Sequence, residues 1–192
     1  NMTAEEMTHA TKSELIEAIA GSEGRVLASE TIGITIPLLT DVTNAEFAAS
    51  MGADLILLNM FDVQEPKIMA LPEVEKEETV REVKRLTGRM VGINLEPVEE
   101  SYASDNKETL WEMSAGRYAT VENAIQAQKM GVDLIVLTGN PGNGVSNPAI
   151  ISSLKAISKA VGEKIMLAAG KMHASGIIGE GGENSSFVMM FS

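Results

Sequence analysis

Two stretches decide the fold class of this chain: "NAEFAASMGADLILLN" at residues 44–59 and "NAIQAQKMGVDLIVLT" at residues 123–138. Both begin with Asn-Ala, place Met-Gly before an apolar run, and open that run with Asp-Leu-Ile. Each stretch therefore predicts a helix followed by a strand of the continuous apolar kind that a parallel sheet buries on both faces. The two stretches lie 123 − 44 = 79 residues apart, close to two helix-plus-strand units of about 40 residues each.

An offset of two units is typical of a (β/α)8 barrel built by duplication, because such a barrel repeats every second strand. Gly52 and Gly131 occupy matching positions and predict the ends of the two helices. Convergence on a short helix, glycine, aspartate and strand pattern is the alternative explanation. Five apolar runs rich in Val, Ile and Leu predict the strands, at residues 26–30, 54–59, 90–96, 133–139 and 164–170.

Helix start signals lie between these runs. Thr11 with Glu14 and Thr43 with Glu46 have the spacing of capping boxes, and Asn147 before Pro148 predicts a further N-cap. The predicted fold is α/β, a TIM (β/α)8-barrel-like chain with about five βα units of an incomplete barrel, since a complete one takes about 250 residues. An open, doubly wound, flavodoxin-like sheet of five strands is the alternative.

Residues 1–192 are expected to form a single domain that is apparently truncated, because the chain ends in an atypical apolar tail at residues 185–192.

The composition of the chain excludes several classes of site and partner. The chain has no cysteine, so disulfides and thiolate metal sites are excluded, and its formal net charge is −12. We expect no nucleic-acid or membrane partner, since both carry negative charge, and no apolar run approaches a membrane span of about 20 residues. A cytoplasmic location is predicted.

Polar residues follow the predicted strands, and a barrel collects strand ends in one mouth although they are far apart in sequence. Small-molecule ligands of parallel α/β proteins bind at those ends. The predicted ligand-binding residues at the strand ends are Glu30, Asn59, Asn94, Thr138 and Asn140.

Two carboxylates stand near the ends of the second and third strands. Glu96 follows an apolar run and precedes Pro97, so it is predicted to be a catalytic general base or a metal ligand. Asp62 joins it if the two strands are neighbours, and the pair is then a predicted Mg²⁺ site. A carboxylate that is merely exposed at a strand end is the alternative for Glu96.

The segment "VLTGNPGNGVSNP" runs from the fourth strand into a helix. Gly142 and Gly144 permit close backbone approach, and the helix that follows offers free amides, so an anion such as phosphate or carboxylate is expected there. A tight turn uses the same residues, and that alternative stays open.

The segment "AAGKMHASG" follows the fifth strand and contains two further predicted catalytic residues. Lys171 is suited to bind an anion or to form a Schiff base, and His173 to transfer protons. An ordinary surface position is the alternative for each.

The stretch "GRVLASETIGITIPLLTDVTNAEFA" at residues 24–48, together with the two Met-Gly stretches, resembles a bacterial family of TIM-barrel proteins that is phosphoenolpyruvate phosphonomutase-like. The resemblance covers about residues 14–183. It implies a lyase or mutase, and relatives of that kind hold magnesium with carboxylates near the early strand ends. Asp62 and Glu96 stand there without matching the motif cleanly.

These observations together predict a phosphonomutase- or lyase-like enzyme that acts on a small phosphorylated or carboxylated metabolite at the C-terminal mouth of the barrel, with Mg²⁺ as its expected cofactor. A class I aldolase that uses Lys171 is one alternative, and a non-catalytic small-molecule-binding barrel is another. The chain is also expected to form a homo-oligomer, because a sheet of five strands leaves two edges unpaired.

Overall fold

A computed structural model describes residues 3–98, 113–139 and 145–171. Its centre is one parallel sheet whose strands follow one another in chain order, β1 to β5. The predicted strands are all present, with bounds that differ by one or two residues from the apolar runs. They are β1 (Ala28–Ile32), β2 (Leu55–Asn59), β3 (Met90–Leu95), β4 (Leu134–Gly139) and β5 (Met166–Lys171).

Helices alternate with these strands, as the predicted βα units require. Two short 3₁₀ turns, Lys76–Glu78 and Ala115–Arg117, precede a helix and a loop respectively. None of the described helices has both the length and the apolar character that a membrane crossing demands. The helices are α1 (Ala4–His9), α2 (Lys12–Gly21), α3 (Asn44–Ser50), α4 (Thr79–Thr87), α5 (Val121–Met130) and α6 (Asn147–Val161).

The strand order separates the two predicted architectures. A flavodoxin-like sheet has the order 2-1-3-4-5, with its first strand inside the sheet. Here β1 lies at one edge and pairs only with β2 among the described strands, and every strand neighbours the next one along the chain. The flavodoxin-like alternative is therefore wrong, and the fold is an α/β sheet with the consecutive order of a TIM-type barrel.

The repeated sequence has a structural explanation in the two aspartates that open β2 and β4. Asp54 accepts the backbone N–H of Leu27 at 2.8 Å, and Asp133 accepts the backbone N–H of Val91 at 2.9 Å. The backbone N–H of each aspartate in turn donates to the carbonyl of the same neighbour. Each repeat thus ties the start of its strand to the preceding strand.

The sheet has two buried faces of different size. The face toward the helices packs Ile56, Ile93 and Leu137 against α3 to α6 and forms the larger core. On the opposite, inner face, Leu15 of α2 packs with the first inward residues of four strands. The amino end of the inner face is therefore covered by α2, and polar residues occupy its carboxyl end. The four residues packed with Leu15 are Leu55, Met90, Leu134 and Met166.

The helix start signals are largely confirmed. Thr11 with Glu14 and Thr43 with Glu46 both form complete capping boxes. The last helix differs, because Ser146 is its N-cap and accepts from the backbone N–H of Ala149. Asn147 is instead the first helical residue, so the predicted cap lies one residue too late.

Candidate functional site

Three polar residues at the carboxyl end of the inner face come from the first three strands. Strand residues alternate between faces, and the register pairs Ala28 with Leu55 and Leu55 with Met90. Since Leu55 and Met90 face inward, Glu30, Asn59 and Asn94 lie on the same face two or four residues later. We refer to Glu30, Asn59 and Asn94 as the mouth cluster.

Asn94 is the centre of the mouth cluster. Its Nδ2 donates to Oε1 of Glu30 at 3.0 Å and to Oδ1 of Asn59 at 3.2 Å. Both partners are acceptors, so the orientation of the Asn94 amide follows from chemistry: the NH₂ group must face them. The three residues therefore form one hydrogen-bonded group across β1, β2 and β3.

Asn59 is itself held by the backbone that follows it. Its Oδ1 also accepts the N–H of Met60 at 2.8 Å. Met60 has φ of 57°, in the left-handed region that non-glycine residues seldom adopt. The turn after β2 thus orients the Asn59 side chain toward Asn94 at the expense of local backbone strain, a combination that clusters at functional sites.

The side-chain carbonyl oxygen of Asn94, Oδ1, is buried and makes no hydrogen bond to any of the described residues. Asn94 as a whole is only 8% exposed. Leaving such an acceptor unpaired costs about 1–3 kcal/mol, and buried polar groups in folded proteins nearly always have a partner. This oxygen is the feature of the inner face that most directly indicates a ligand.

Glu96, just past β3, lies in a second polar group with Arg117. Arg117 Nη2 donates to Glu96 Oε1 at 2.8 Å, and both side chains are largely buried. The backbones run alongside each other as well, because the N–H of Glu96 donates to the carbonyl of Arg117 and the N–H of Ala119 donates to the carbonyl of Glu96. The 3₁₀ turn that carries Arg117 is thereby fixed to the end of β3.

Asp62 lies on the other side of this turn. Its Oδ1 accepts the backbone N–H groups of Gln64 at 2.7 Å and Glu65 at 3.0 Å. Burial by itself raises the pKa of Asp62, but these bonds, a hydrogen bond from the Ser114 side chain and the charge of Arg117 together hold that pKa below its usual value. Asp62 is therefore a stabilised carboxylate.

The two carboxylates of the predicted metal site are thus brought to one region. The Arg117 guanidinium is bonded to Glu96, and its positive charge also acts on Asp62. Among residues 3–98, 113–139 and 145–171, no group of three or more His, Cys, Asp or Glu side chains is arranged to hold a metal ion. Asp62 and Glu96 are instead balanced by Arg117 and by backbone N–H groups. The magnesium site stays a prediction.

The remaining predicted residues belong to β4, β5 and the segments after them. Thr138 is half-buried at the end of β4 and pairs in register with Gly170, and Lys171 ends β5 in register with Gly139. Asn140, Gly142, Gly144 and His173, like the apolar tail at 185–192, lie outside the described residues. Their roles stay predictions.

Arg117 is the residue that sequence reasoning missed. It lies in a segment without strong periodicity, 21 residues beyond the carboxylate that it pairs with. The available signal was indirect: a carboxylate at the buried end of an apolar strand requires a cation or several donors. The sequence offers several Lys and Arg residues for that task, and only the fold selects one.

A family model for a domain of unknown function, DUF7916, matches residues 1–190. No curated protein matches the chain at a significant level. Among solved structures, a putative phosphonomutase from Burkholderia cenocepacia has a TM-score of 0.45 at 16% identity, over 85% of this chain and 63% of its own. A GH27 β-L-arabinopyranosidase from Geobacillus stearothermophilus has a TM-score of 0.48 at 11% identity, over 80% of this chain and 49% of its own. The chain thus spans less than two thirds of either protein.

Proposed function

The chain belongs to the DUF7916 family, and we propose that it is a phosphonomutase- or lyase-like enzyme whose small phosphorylated or carboxylated substrate binds over the mouth cluster. The observation that carries this proposal is the buried side-chain oxygen Oδ1 of Asn94, which has no hydrogen-bond partner in the part of the chain that the structure describes. It lies at the carboxyl end of the inner face, where parallel α/β proteins bind their ligands. A bound substrate would remove the cost of the unpaired acceptor.

Glu30 is the residue best suited to move a proton in this site. It is exposed on β1, and Asn94 Nδ2 holds one of its carboxylate oxygens. A carboxylate that is oriented by a neighbour and open to a ligand can act as a general base. Glu96, the predicted base, is largely buried against Arg117, so in our proposal it positions the Arg117 turn beside the site.

Magnesium is implied by the phosphonomutase-like resemblance, and the described residues do not fit it well. Mg²⁺ prefers oxygen ligands, which Asp62 and Glu96 supply. However, the Arg117 guanidinium is bonded to Glu96, and its charge also acts on Asp62. A second cation there would be repelled by the first. No step of the proposed reaction is therefore assigned to magnesium.

The proposal is tested by following the purified chain with phosphoenolpyruvate and with short hydroxy and keto carboxylates by ³¹P and ¹H NMR. We expect turnover of at least one compound. Glu30→Gln keeps the shape of the side chain and removes the base, so it should lower turnover by a factor of about 10² or more. Glu17→Gln, at an exposed position of α2, is the matched control and should leave turnover unchanged.

The two alternatives predict other outcomes. Binding without turnover of any compound would contradict the enzyme and favour a non-catalytic binding barrel. Labelling of Lys171 after borohydride treatment with a keto acid would favour the class I aldolase instead. Loss of turnover in EDTA would favour a magnesium site, although the described residues do not fit one well.

A further inference from the structure

The hydrogen bonds within the mouth cluster determine which of its polar atoms remain available to a ligand. The Asn94 NH₂ group is used by Glu30 and Asn59, and Asn59 Oδ1 accepts both from Asn94 and from the Met60 N–H. Among the described residues, Asn94 Oδ1 has no hydrogen-bond partner. The bonds to Asn94 use Glu30 Oε1 and Asn59 Oδ1, so the second carboxylate oxygen of Glu30 and the Asn59 NH₂ group take no part in them. The cluster therefore presents two acceptors and one donor.

The two acceptors belong to residues that are already bonded to each other. Asn94 Nδ2 and Glu30 Oε1 are 3.0 Å apart, so the second oxygen of each side chain, bonded to the same carbon, lies close to this hydrogen bond. A buried amide carbonyl and a carboxylate side by side repel an oxyanion and attract a hydrogen-bond donor. The Asn59 NH₂ group, in contrast, is suited to a carboxylate or phosphate oxygen.

We infer that the substrate carries a hydroxyl or ammonium group that donates to Asn94 Oδ1 and Glu30, next to an oxyanion that accepts from Asn59. The inference rests on the proposed function and narrows its substrate class, because it requires a donor in addition to the phosphate or carboxylate. Asn94 and Glu30 are then the residues that determine specificity. A substrate without the donor leaves the buried carbonyl unpaired, and sites of that design reject such analogues strongly.

The test uses three dicarboxylates that share one carbon skeleton: malate has a hydroxyl, aspartate an ammonium group, and succinate neither. Each is titrated into the full chain by calorimetry, with backbone and side-chain amide NMR to locate binding. A parallel trio covers the phosphorylated class: 3-phosphoglycerate, phosphoserine and the phosphate ester of 3-hydroxypropionate. We expect malate or aspartate, or its phosphorylated counterpart, to bind at least tenfold more tightly than the compound without the donor. Preference between the first two identifies the donor.

Two variants connect that preference to the cluster. Asn94→Leu replaces the buried side-chain carbonyl by an apolar group of similar volume. The three compounds of a trio should then bind with affinities within about twofold of one another. Glu30→Gln should weaken the preference with the fold intact, and it serves as the second readout if Asn94→Leu does not fold. Glu17→Gln should retain the full preference. Thermal unfolding of each variant separates loss of specificity from loss of structure.

The outcomes of this test differ for the two proposals. Equal affinity of the three members of a trio, with amide shifts at the mouth cluster, would overturn the donor inference and leave the proposed function standing. Binding of neither trio would contradict the proposed function, and the inference with it. A tenfold preference that Asn94→Leu and Glu30→Gln both leave unchanged would also overturn the inference, because the donor would then bind elsewhere.

Discussion

Arg117 Nη2 lies 2.8 Å from Oε1 of Glu96, and this bond fixes a 3₁₀ turn to the end of β3 across 21 residues of sequence. The same turn contacts the loop after β2, where the backbone N–H of Val63 donates to the carbonyl of Gly116. The ends of β2 and β3 are therefore held together beside the mouth cluster. Residues 113–118 act as a brace between two strand ends.

We predict that Arg117→Met lowers the free energy of unfolding by about 3 kcal/mol, because it removes the guanidinium that is paired with the buried Glu96 carboxylate. The double variant Arg117→Met with Glu96→Gln should be less destabilised than Arg117→Met alone, since no uncompensated charge remains. Urea unfolding of the single and double variants checks this. A double variant as unstable as the sum of its single variants would show that the pair does not interact.

Gly116 is predicted to tolerate no side chain. A Cβ at this position would lie 1.7 Å from Asp62 Oδ1 and 2.8 Å from the backbone nitrogen of Gln64, so Gly116→Ala must displace the turn. We expect a loss of about 2–3 kcal/mol of stability. Gly21→Ala is the matched control, because nothing lies within 4 Å of its Cβ, and it should be neutral or stabilising by about 0.5 kcal/mol. Equal effects of the two substitutions would contradict the contact.

Lys84→Met should destabilise the fold in a pH-dependent way. Lys84 Nζ lies 2.7 Å from Asp133 Oδ1, and both side chains are less than 10% exposed. Burial raises the pKa of Asp133, and the charge of Lys84 opposes that rise. Without Lys84 the folded-state pKa rises further above the ordinary value of 3.8, so the folded protein is favoured at low pH and loses stability as the pH climbs through that raised value.

The expected loss for Lys84→Met is therefore larger at pH 8 than at pH 5, and reaches about 3 kcal/mol at the higher pH. Denaturant unfolding at both pH values measures it. Lys155→Met, at an exposed position of α6, should change the free energy of unfolding only slightly and by the same amount at both pH values. A loss for Lys84→Met that does not change with pH would mean that Asp133 does not titrate in this range.

Self-association through β1 is the fourth prediction. Exposed large apolar side chains follow this edge strand in the chain, including Ile36 at 85% and Leu38 at 71% exposure. A groove of about 500 Å³ runs beside the strand, between β1 and α3. Exposed apolar surface next to an unpaired strand edge favours pairing with another chain. Light scattering should show oligomers at micromolar concentration, and Ile36→Lys with Leu38→Lys should reduce them.

The matched control for this prediction is Ile151→Lys, which changes an exposed apolar side chain on α6, away from the β1 edge. It should leave the oligomers intact. A wild-type chain that stays monomeric across micromolar concentrations would contradict self-association.

The elements of the fold were predictable because their signals are local. Continuous Val, Ile and Leu runs predicted the five strands, and the Thr-x-x-Glu spacings predicted two capping boxes that the structure confirms. The two Asp-Leu-Ile repeats also predicted equivalent units, and Asp54 and Asp133 make equivalent backbone contacts. The cap of α6 was placed one residue late because Ser146 and Asn147 are both good caps, and local sequence does not choose between them.

The sequence alone determined the α/β class, the parallel strands and the set of polar residues that end them, because strand runs, caps and face alternation depend on neighbours only a few residues apart. Only the tertiary structure decided which of those residues meet. It joined Asn94 to Glu30 and Asn59, and it placed Arg117, 21 residues further along the chain, against Glu96. Hydrogen bonds and charge pairs across strands depend on register and on distances between distant segments, which no local pattern records.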